Sequence, residues 1–183
     1  MTFNNISTLI KVIKKPIRTG IKESIRIGCE YLIKQDCDLI INLDGDAEVR
    51  NDFIPELVKL HQANPTKFVT GFDCTNMNGN SYRHQRFNET ATQCERLSAG
   101  GINLAFTPEM YTHYIEPILN TNDNWDYLAT KQTGVICAKP SLIQHLGINS
   151  SMGHDGADIS DTFKPLSLPS VTLIGVDNGS HIS

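Results

Sequence analysis

The sequence predicts a single α/β domain in which a mostly parallel, Rossmann-like sheet is flanked by helices. Two compact apolar runs, at 38–43 (DLIINL) and 67–72 (KFVTGF), have the length and composition of buried strands. Helical patterns at 20–33 and 53–61 alternate with these runs, and this order is typical of right-handed βαβ units. A chain of 183 residues has the size of one domain, so we expect one unit over 1–183.

The first half of the chain supplies three predicted strands and two predicted helices. The β-branched run Leu9–Ile13, which Pro16 closes, predicts the first strand. After Gly20 the apolar residues recur with helical periodicity and predict one buried face, formed by Ile21, Ile25, Gly28, Leu32 and Ile33. The next helix takes Asn51 or Asp52 as its N-cap, and its predicted inward residues are Ile54, Leu57, Val58 and Leu60.

The second half is less regular, and the polar residues over 73–97 predict a loop. The elements predicted after it are a strand at 102–106 behind Gly100-Gly101, a helix starting at Thr107-Pro108-Glu109, a short helix at 123–131 and a strand at 134–138. From Gly147 onward the chain is rich in Gly, Ser, Asp and Pro. We therefore expect a core over about 9–155 and an irregular, partly mobile tail over 156–183 that lies across the surface.

Composition excludes several classes of protein. The net charge of −4 argues against general nucleic-acid binding, which needs a basic surface. No apolar run approaches the roughly 18 residues of a membrane-spanning helix, and the first thirty residues lack the features of a signal peptide. The five cysteines form no CxxC pair, so neither a zinc site nor a disulfide framework is predicted. We expect a cytoplasmic protein.

The clearest chemical motif is Asp44-Gly45-Asp46, directly after the predicted strand DLIINL. Open α/β sheets bind ligands at the carboxyl ends of their strands, and two neighbouring carboxylates there suit a hard divalent cation. A calcium-loop interpretation fails, because Val49 and Pro55 stand where glycine and glutamate would be needed. The alternative is a pair of solvated turn carboxylates, or a cap on the following helix.

The stretch 19–56, which contains this motif, resembles the centre of a GT-A fold glycosyltransferase, similar to the inverting enzymes of family 2. In that family a helix precedes a strand that ends in a DxD motif. Later segments follow the family order: 98–103 resembles the glycine-bearing loop beside the donor sugar, 124–127 (NWDY) the acidic motif with the base, and 139–151 (KPSLIQHLGINSS) a late histidine segment.

This resemblance implies a metal-dependent transferase that uses a nucleotide-diphosphate sugar, with a UDP-sugar as the donor and a hexosyl or N-acetylhexosaminyl group transferred. Asp46 would bind Mn²⁺ or Mg²⁺, and Asp44 would contact the ribose or the metal. His145 would be the third protein contact to the metal or diphosphate, with His154 as its rival and a core histidine as the alternative. Gly100, Gly101 and Asn103 would lie beside the donor sugar, although the glycine pair could also be a simple turn.

The resemblance also assigns the acceptor side, where a glycan or another hydroxyl compound would bind. Asp126 would be the general base that takes the proton of the acceptor hydroxyl. Asp123 is the alternative base, with Asp126 then a helix cap. Trp125 would form one wall of the acceptor pocket, the alternative being a place in the core.

The chain departs from this family at its N-terminus, where the strands and helix that hold the nucleobase would precede Leu9. We expect a GT-A fold lacking part of its N-terminal half, with an open sheet edge that a homo-oligomer could cover. A second hypothesis is a GT-A-like domain without turnover that serves as a binding or interaction module. A third is a metal-dependent phosphoester hydrolase, which would need more clustered metal ligands.

Overall fold

The computed structural model of the chain describes residues 20–74, 85–146 and 159–165. The strand predicted at 9–13 and most of the tail lie outside these ranges. The described strands are β1 (Ile40–Leu43), β2 (Ala47–Val49), β3 (Phe68–Thr70), β4 (Gln93–Arg96), β5 (Asn103–Phe106), β6 (Val135–Ala138) and β7 (Ile143–His145). The helices are α1 (Gly20–Ile33), α2 (Phe53–Ala63), α3 (Pro108–Met110), α4 (Glu116–Leu119) and α5 (Trp125–Thr133), and a π-helical turn at Tyr111–Ile115 joins α3 to α4.

Five of the described strands form one mixed sheet in the order β1-β5-β3-β6-β4. β3 and β6 are parallel, whereas β5 runs antiparallel to β1 and β3, and β4 runs antiparallel to β6. β1, β3 and β6 therefore point in one direction, and their carboxyl ends meet at one edge of the sheet. The other two described strands, β2 and β7, form a small antiparallel arm.

The α/β class with helices flanking a sheet is confirmed, but the described strands contain more antiparallel pairing than the expected mostly parallel arrangement. β1, α2 and β3 form a crossover unit of the predicted kind, and β5 is inserted between its two strands. The chain enters β5 from β4 through a loop and not through a helix, so the reasoning that applies to βαβ units does not set its direction.

Helices cover both faces of the sheet. α2 packs on one face, in a cluster that includes Val69, Ala105 and Ile136. On the other face, α1, α5 and the helical stretch from α3 to α4 pack in a cluster that includes Phe68, Leu104, Phe106, Val135 and Cys137. Successive residues of β3, β5 and β6 alternate between these clusters, as the period of two in a strand requires.

The predicted inward faces of the first two helices are partly wrong. α1 buries Ile25 and Cys29, whereas Ile21 and Leu32 are 48% and 37% exposed. α2 buries Phe53, Leu57 and His61, whereas Ile54 is 44% exposed. Each buried stripe follows an i, i+4 spacing, and both sequences carry apolar residues on more than this stripe, so periodicity alone did not locate it.

Two strand predictions also need correction. β1 was expected to be buried on both faces, but Leu43 is 41% exposed because β1 lies at the end of the described strand order. β4 lies inside the segment 73–97, which was predicted as a loop. Its inward residues are Cys94 and Arg96, and a buried arginine does not resemble the apolar alternation of an ordinary strand.

The helix predicted at Thr107-Pro108-Glu109 begins as expected. Oγ1 of Thr107 accepts a hydrogen bond from the N–H of Met110 at 3.2 Å, and Pro108 occupies the first turn. The helical hydrogen bonds then change from an i−4 to an i−5 spacing, because Pro117 has no N–H to donate to the carbonyl of His113. The N–H of Glu116 bonds to the Tyr111 carbonyl instead, which closes the π-helical turn.

Tyr111 in this turn is buried, and its hydroxyl has no hydrogen-bond partner within the part of the chain that the structure describes. Burial raises the pKa of Tyr111 to about 12. Because an unsatisfied buried hydroxyl is costly, we expect Tyr111→Phe to leave stability unchanged or raise it by about 1 kcal/mol. Urea unfolding with an unchanged m-value measures this effect, and Tyr114→Phe at a half-buried neighbour is the control. A loss of more than about 1 kcal/mol would contradict the prediction.

His61 on the inner side of α2 is buried, and desolvation lowers its pKa below the ordinary value. Above the pKa that His61 has in the unfolded chain, its imidazole is neutral in both states. Below that pKa the imidazole binds a proton in the unfolded state, while burial disfavours its protonation in the folded state. We therefore expect His61 to reduce stability as the pH falls from about 7 to about 5. The difference between the unfolding free energies at pH 7 and pH 5 should be smaller in His61→Gln than in wild type. An identical pH dependence in both proteins would overturn the assignment.

Candidate active site

Asp44 stands at the carboxyl end of β1, at the edge where β1, β3 and β6 end. Its backbone N–H donates to the carbonyl of Ile102 at 2.9 Å, so the chain still follows β5 when the strand has ended. The side chain is half-buried. Burial raises the pKa of the Asp44 carboxyl, the nearby charge of Asp46 raises it further, and His145 acts in the opposite direction. Asp44, Asp46 and His145, three of the predicted site residues, are thus close enough for their charges to interact.

The arm formed by β2 and β7 brings Asp46 and His145 together across 99 residues of sequence. Ala47 lies opposite His145 in the ladder, and the N–H of Leu146 donates to the Asp46 carbonyl at 2.8 Å. Nε2 of His145 lies 3.2 Å from Oδ2 of Asp46. The arm thus brings together two residues that the family resemblance assigns to a metal or diphosphate, and that role stays a prediction.

This pair fits a hexacoordinate divalent ion. Adjacent ligands on such an ion, with bonds of about 2.1 Å, lie about 3 Å apart, close to the separation of Asp46 Oδ2 and His145 Nε2. Nδ1 of His145 is buried, so Nε2 is the ring nitrogen that can serve as a ligand. Within residues 20–74, 85–146 and 159–165, no group of three or more His, Cys, Asp or Glu side chains is placed to hold a metal. The remaining positions would be left to water and substrate oxygens, as magnesium sites commonly have them.

Asp126 lies in the first turn of α5 and is held by two backbone groups. Its Oδ2 accepts from the N–H of Gly101 at 2.7 Å, and its Oδ1 accepts from the N–H of Tyr127 at 2.9 Å. Gly101 can approach so closely because it has no side chain: a Cβ there would lie 3.3 Å from Trp125 Cζ2 and 3.4 Å from Asp126 Oδ2. The predicted glycine loop and the predicted acidic motif are therefore joined directly.

A cavity of about 90 Å³ opens beside Asp126. Its lining comes from the ends of β3 and β4, the loop before β5 and the start of α5, and consists of Thr70, Phe72, Cys74, Arg96, Ser98, Ala99, Gly100, Ile102, Asn124, Asp126 and Tyr127. Asp46 and His145 are not in this lining. Asp126 nevertheless accepts from the N–H of Gly101, and the N–H of Asp44 donates to the carbonyl of the next residue, Ile102, so the pocket and Asp44 are neighbours.

The structure corrects two predicted contacts. Trp125 is only 3% exposed and belongs to the core, so it forms no wall of the pocket. Asn103 is fully buried in β5: its Oδ1 accepts from the N–H of Gly71 at 2.8 Å, and its Nδ2 donates to the Asn42 carbonyl at 2.7 Å. The Asn103 side chain thus ties β1, β5 and the end of β3 together and does not face a substrate.

Of the rival residues, Asp123 is exposed and does not line the cavity, and His154 lies outside the described residues. Gly100 lines the cavity, and Gly101 donates its N–H to Asp126; their place beside a donor sugar stays a prediction.

Sequence reasoning missed an ionic cluster behind the pocket. Asp73 is fully buried and accepts from the Arg96 guanidinium, which is 3% exposed. Arg86 donates to both carboxylate oxygens of Asp73, at 3.1 and 2.9 Å. Ser160 donates to the Asp73 carbonyl at 2.7 Å, and Thr162 to its carboxylate at 3.3 Å. Part of the expected surface tail, at 159–165, is therefore anchored. The signal in the sequence that could have indicated this cluster is Asp73 itself, which directly follows the apolar run 67–72.

Comparison with known proteins identifies the family of the chain. Residues 3–124, two thirds of the chain, match the family described as Glycosyl transferase family 2. The match includes Asp44 and Asp46 and ends two residues before Asp126. No curated protein gives a significant match. No described helix combines the length and apolar character needed to cross a membrane. The matched region, with the mixed α/β sheet and flanking helices of a GT-A fold, shows that the chain belongs to glycosyl transferase family 2.

Proposed function

We propose that this protein is a metal-dependent glycosyltransferase that moves a sugar from a nucleotide-diphosphate donor, a UDP-sugar, to an acceptor hydroxyl with inversion. Family membership supports glycosyl transfer in general. The observation that carries the finer proposal is the placement of the Asp46–His145 pair, 3.2 Å apart, beside a separate pocket that contains Asp126. The Asp46–His145 pair suits the diphosphate of the donor, and Asp126 suits the attacking hydroxyl of the acceptor.

On the donor side, Asp46 and His145 would hold Mn²⁺ or Mg²⁺. A divalent ion supplies charge neutralisation to the leaving diphosphate. Asp44 is half-buried close to this pair, where its carboxylate can accept a hydrogen bond from a ribose hydroxyl. Gly100 would lie beside the donor sugar, as the family resemblance implies, because a residue without a side chain lets a sugar ring approach the backbone.

On the acceptor side, Asp126 would be the general base. The N–H groups of Gly101 and Tyr127 fix the carboxylate, so that it is oriented before substrate arrives. The acceptor oxygen forms a bond to the anomeric carbon, and its proton passes to Asp126. The bond from that carbon to the diphosphate oxygen breaks, and the nucleoside diphosphate leaves with the electron pair. A single displacement of this kind inverts the configuration.

The first test is thermal unfolding of the purified chain with EDTA, Mn²⁺ or Mg²⁺, alone and with UDP, GDP, CDP or dTDP. A ligand at about 100 times its Kd adds about 2.7 kcal/mol, which is roughly 5 to 10 °C for a domain of this size. We expect a shift that requires both Mn²⁺ and UDP. It should be lost in Asp46→Asn and His145→Gln and kept in Glu48→Gln, an exposed β2 carboxylate two residues from Asp46. No shift with any pair would overturn the proposal.

We also propose that the chain forms a homo-oligomer. β1 lies at the end of the described sheet, and a second copy of the chain covering that edge would appear as a dimer mass in sedimentation equilibrium.

A further inference from the structure

The pocket beside Asp126 combines polar groups with aromatic surface. Thr70, Ser98 and Asn124 bring hydroxyl and amide groups to its lining, and Phe72 and Tyr127 bring aromatic rings. Polyhydroxylated ligands need hydrogen-bonding partners of this kind. Their C–H faces pack well against aromatic side chains, which offer an apolar body and, in tyrosine, a polar tip.

The charges around the pocket disfavour an anionic ligand. Arg96 is the one cation among the described lining residues, and its guanidinium donates to the buried Asp73 carboxylate and to the Cys74 carbonyl. Arg96 is 3% exposed, and the fully buried Asp73 also accepts two hydrogen bonds from Arg86, so both guanidinium groups are committed to this carboxylate. Asp126 adds a negative charge at the pocket itself. A phosphate entering here would be desolvated without an uncommitted cation in the lining, which is costly.

Tyr127 is the aromatic residue best placed to act on an acceptor. It follows Asp126 in α5, and its backbone N–H donates to the Asp126 carboxylate, so its main chain helps to orient the base. The ammonium of Lys131 lies 5.3 Å from the centre of its ring, one helical turn further on. This contact limits the orientations of the ring. Trp125, by contrast, is buried in the core.

From this lining we propose that the acceptor is an uncharged sugar ring that stacks on Tyr127 with one hydroxyl directed at Asp126, and that phosphate-bearing acceptors are excluded. The inference rests on the proposed function, because it assigns the pocket of Asp126 to the acceptor. It selects one class among the hydroxyl compounds that such a transferase could use, and it makes Tyr127 a residue that determines acceptor specificity.

Saturation-transfer NMR on the full chain tests this without turnover. The probes are the methyl glycosides of glucose, galactose, N-acetylglucosamine and rhamnose, and isopentenyl phosphate as the anionic comparison. We expect saturation of the ring C–H protons of one or more glycosides and none of isopentenyl phosphate. The signal should be lost in Tyr127→Ala and kept in Tyr127→Phe, which retains the ring. The same variants should keep the thermal shift with Mn²⁺ and UDP, which shows that the fold and donor side are intact.

The outcomes separate this inference from the proposed function. If the Mn²⁺ and UDP shift is present but no glycoside is saturated, or if isopentenyl phosphate binds in a manner that depends on Tyr127, the inference is wrong and the transferase proposal stands. If glycosides bind through Tyr127 but no metal and nucleotide pair shifts the unfolding temperature, the pocket takes sugars and the transferase proposal fails. Saturation that persists in Tyr127→Ala would place the sugar elsewhere and overturn the role of Tyr127.

Discussion

Asp73→Asn should destabilise the fold by about 3 to 5 kcal/mol, the range for removing one partner of a buried ion pair. The substitution keeps the size of the side chain but removes the charge that faces Arg96 and Arg86. Arg96 would then be a cation with 3% exposure and no opposing carboxylate at that position. Because the cluster also holds Ser160 and Thr162, the loss should extend to the attachment of 159–165. Guanidinium unfolding measures the free energy, and hydrogen exchange over 159–165 measures the attachment.

Asp161→Asn is the matched control in the same cluster. Asp161 contacts Arg86 at 3.3 Å, but its side chain is 55% exposed, so the change should cost less than about 1 kcal/mol. Adding Arg96→Met to Asp73→Asn should recover part of the lost stability, because the buried guanidinium that faced the carboxylate is then removed as well. Equal costs at Asp73 and Asp161 would mean that burial does not govern the energy of this cluster.

Asp126→Asn should lower turnover by a factor of about 10² to 10⁴ and leave nucleotide binding intact. An amide cannot take the proton of the attacking hydroxyl. Turnover is measured as UDP release from UDP-glucose, UDP-galactose and UDP-N-acetylglucosamine in the presence of Mn²⁺, with water or a methyl glycoside as acceptor. Binding is measured by the thermal shift with Mn²⁺ and UDP.

The variant retains one acceptor oxygen for the two N–H groups of Gly101 and Tyr127, so its unfolding temperature must be recorded beside its activity. Asp123→Asn, three residues earlier and exposed, is the control and should keep its turnover. Full turnover in Asp126→Asn together with loss in Asp123→Asn would move the base to Asp123.

The sequence was informative where chemistry follows directly from a local pattern. An apolar strand that ends in Asp44-Gly45-Asp46 must place its carboxylates at a sheet edge, and that is where they lie. Thr107 and Pro108 begin a helix because capping depends on adjacent residues. The nearness of His145 came from family resemblance, since no local rule connects residues 99 positions apart.

Side-chain direction and long-range pairing were harder to predict. Trp125 and Asp126 are neighbours on one helix, and consecutive helical residues point about 100° apart, so one can face the core while the other faces the pocket. Asn103 was expected beside a substrate, but the amide meets the backbone of two neighbouring strands. The partnership of Asp73 with Arg96 spans 23 residues, and nothing within either segment specifies the other.

The β2–β7 arm has a consequence for how the site assembles. It is held by three residue pairs, and its two strands are joined through a chain segment of nearly a hundred residues. That segment contains most of the five-stranded sheet, which already holds the two strands near each other, so the stability of the arm depends on its own contacts. Short ladders open at lower free energy than core sheets. The end of the arm that carries Asp46 and His145 should therefore open and reclose while the five-stranded sheet stays folded, and buried Ile143 keeps the other end of β7 in the core.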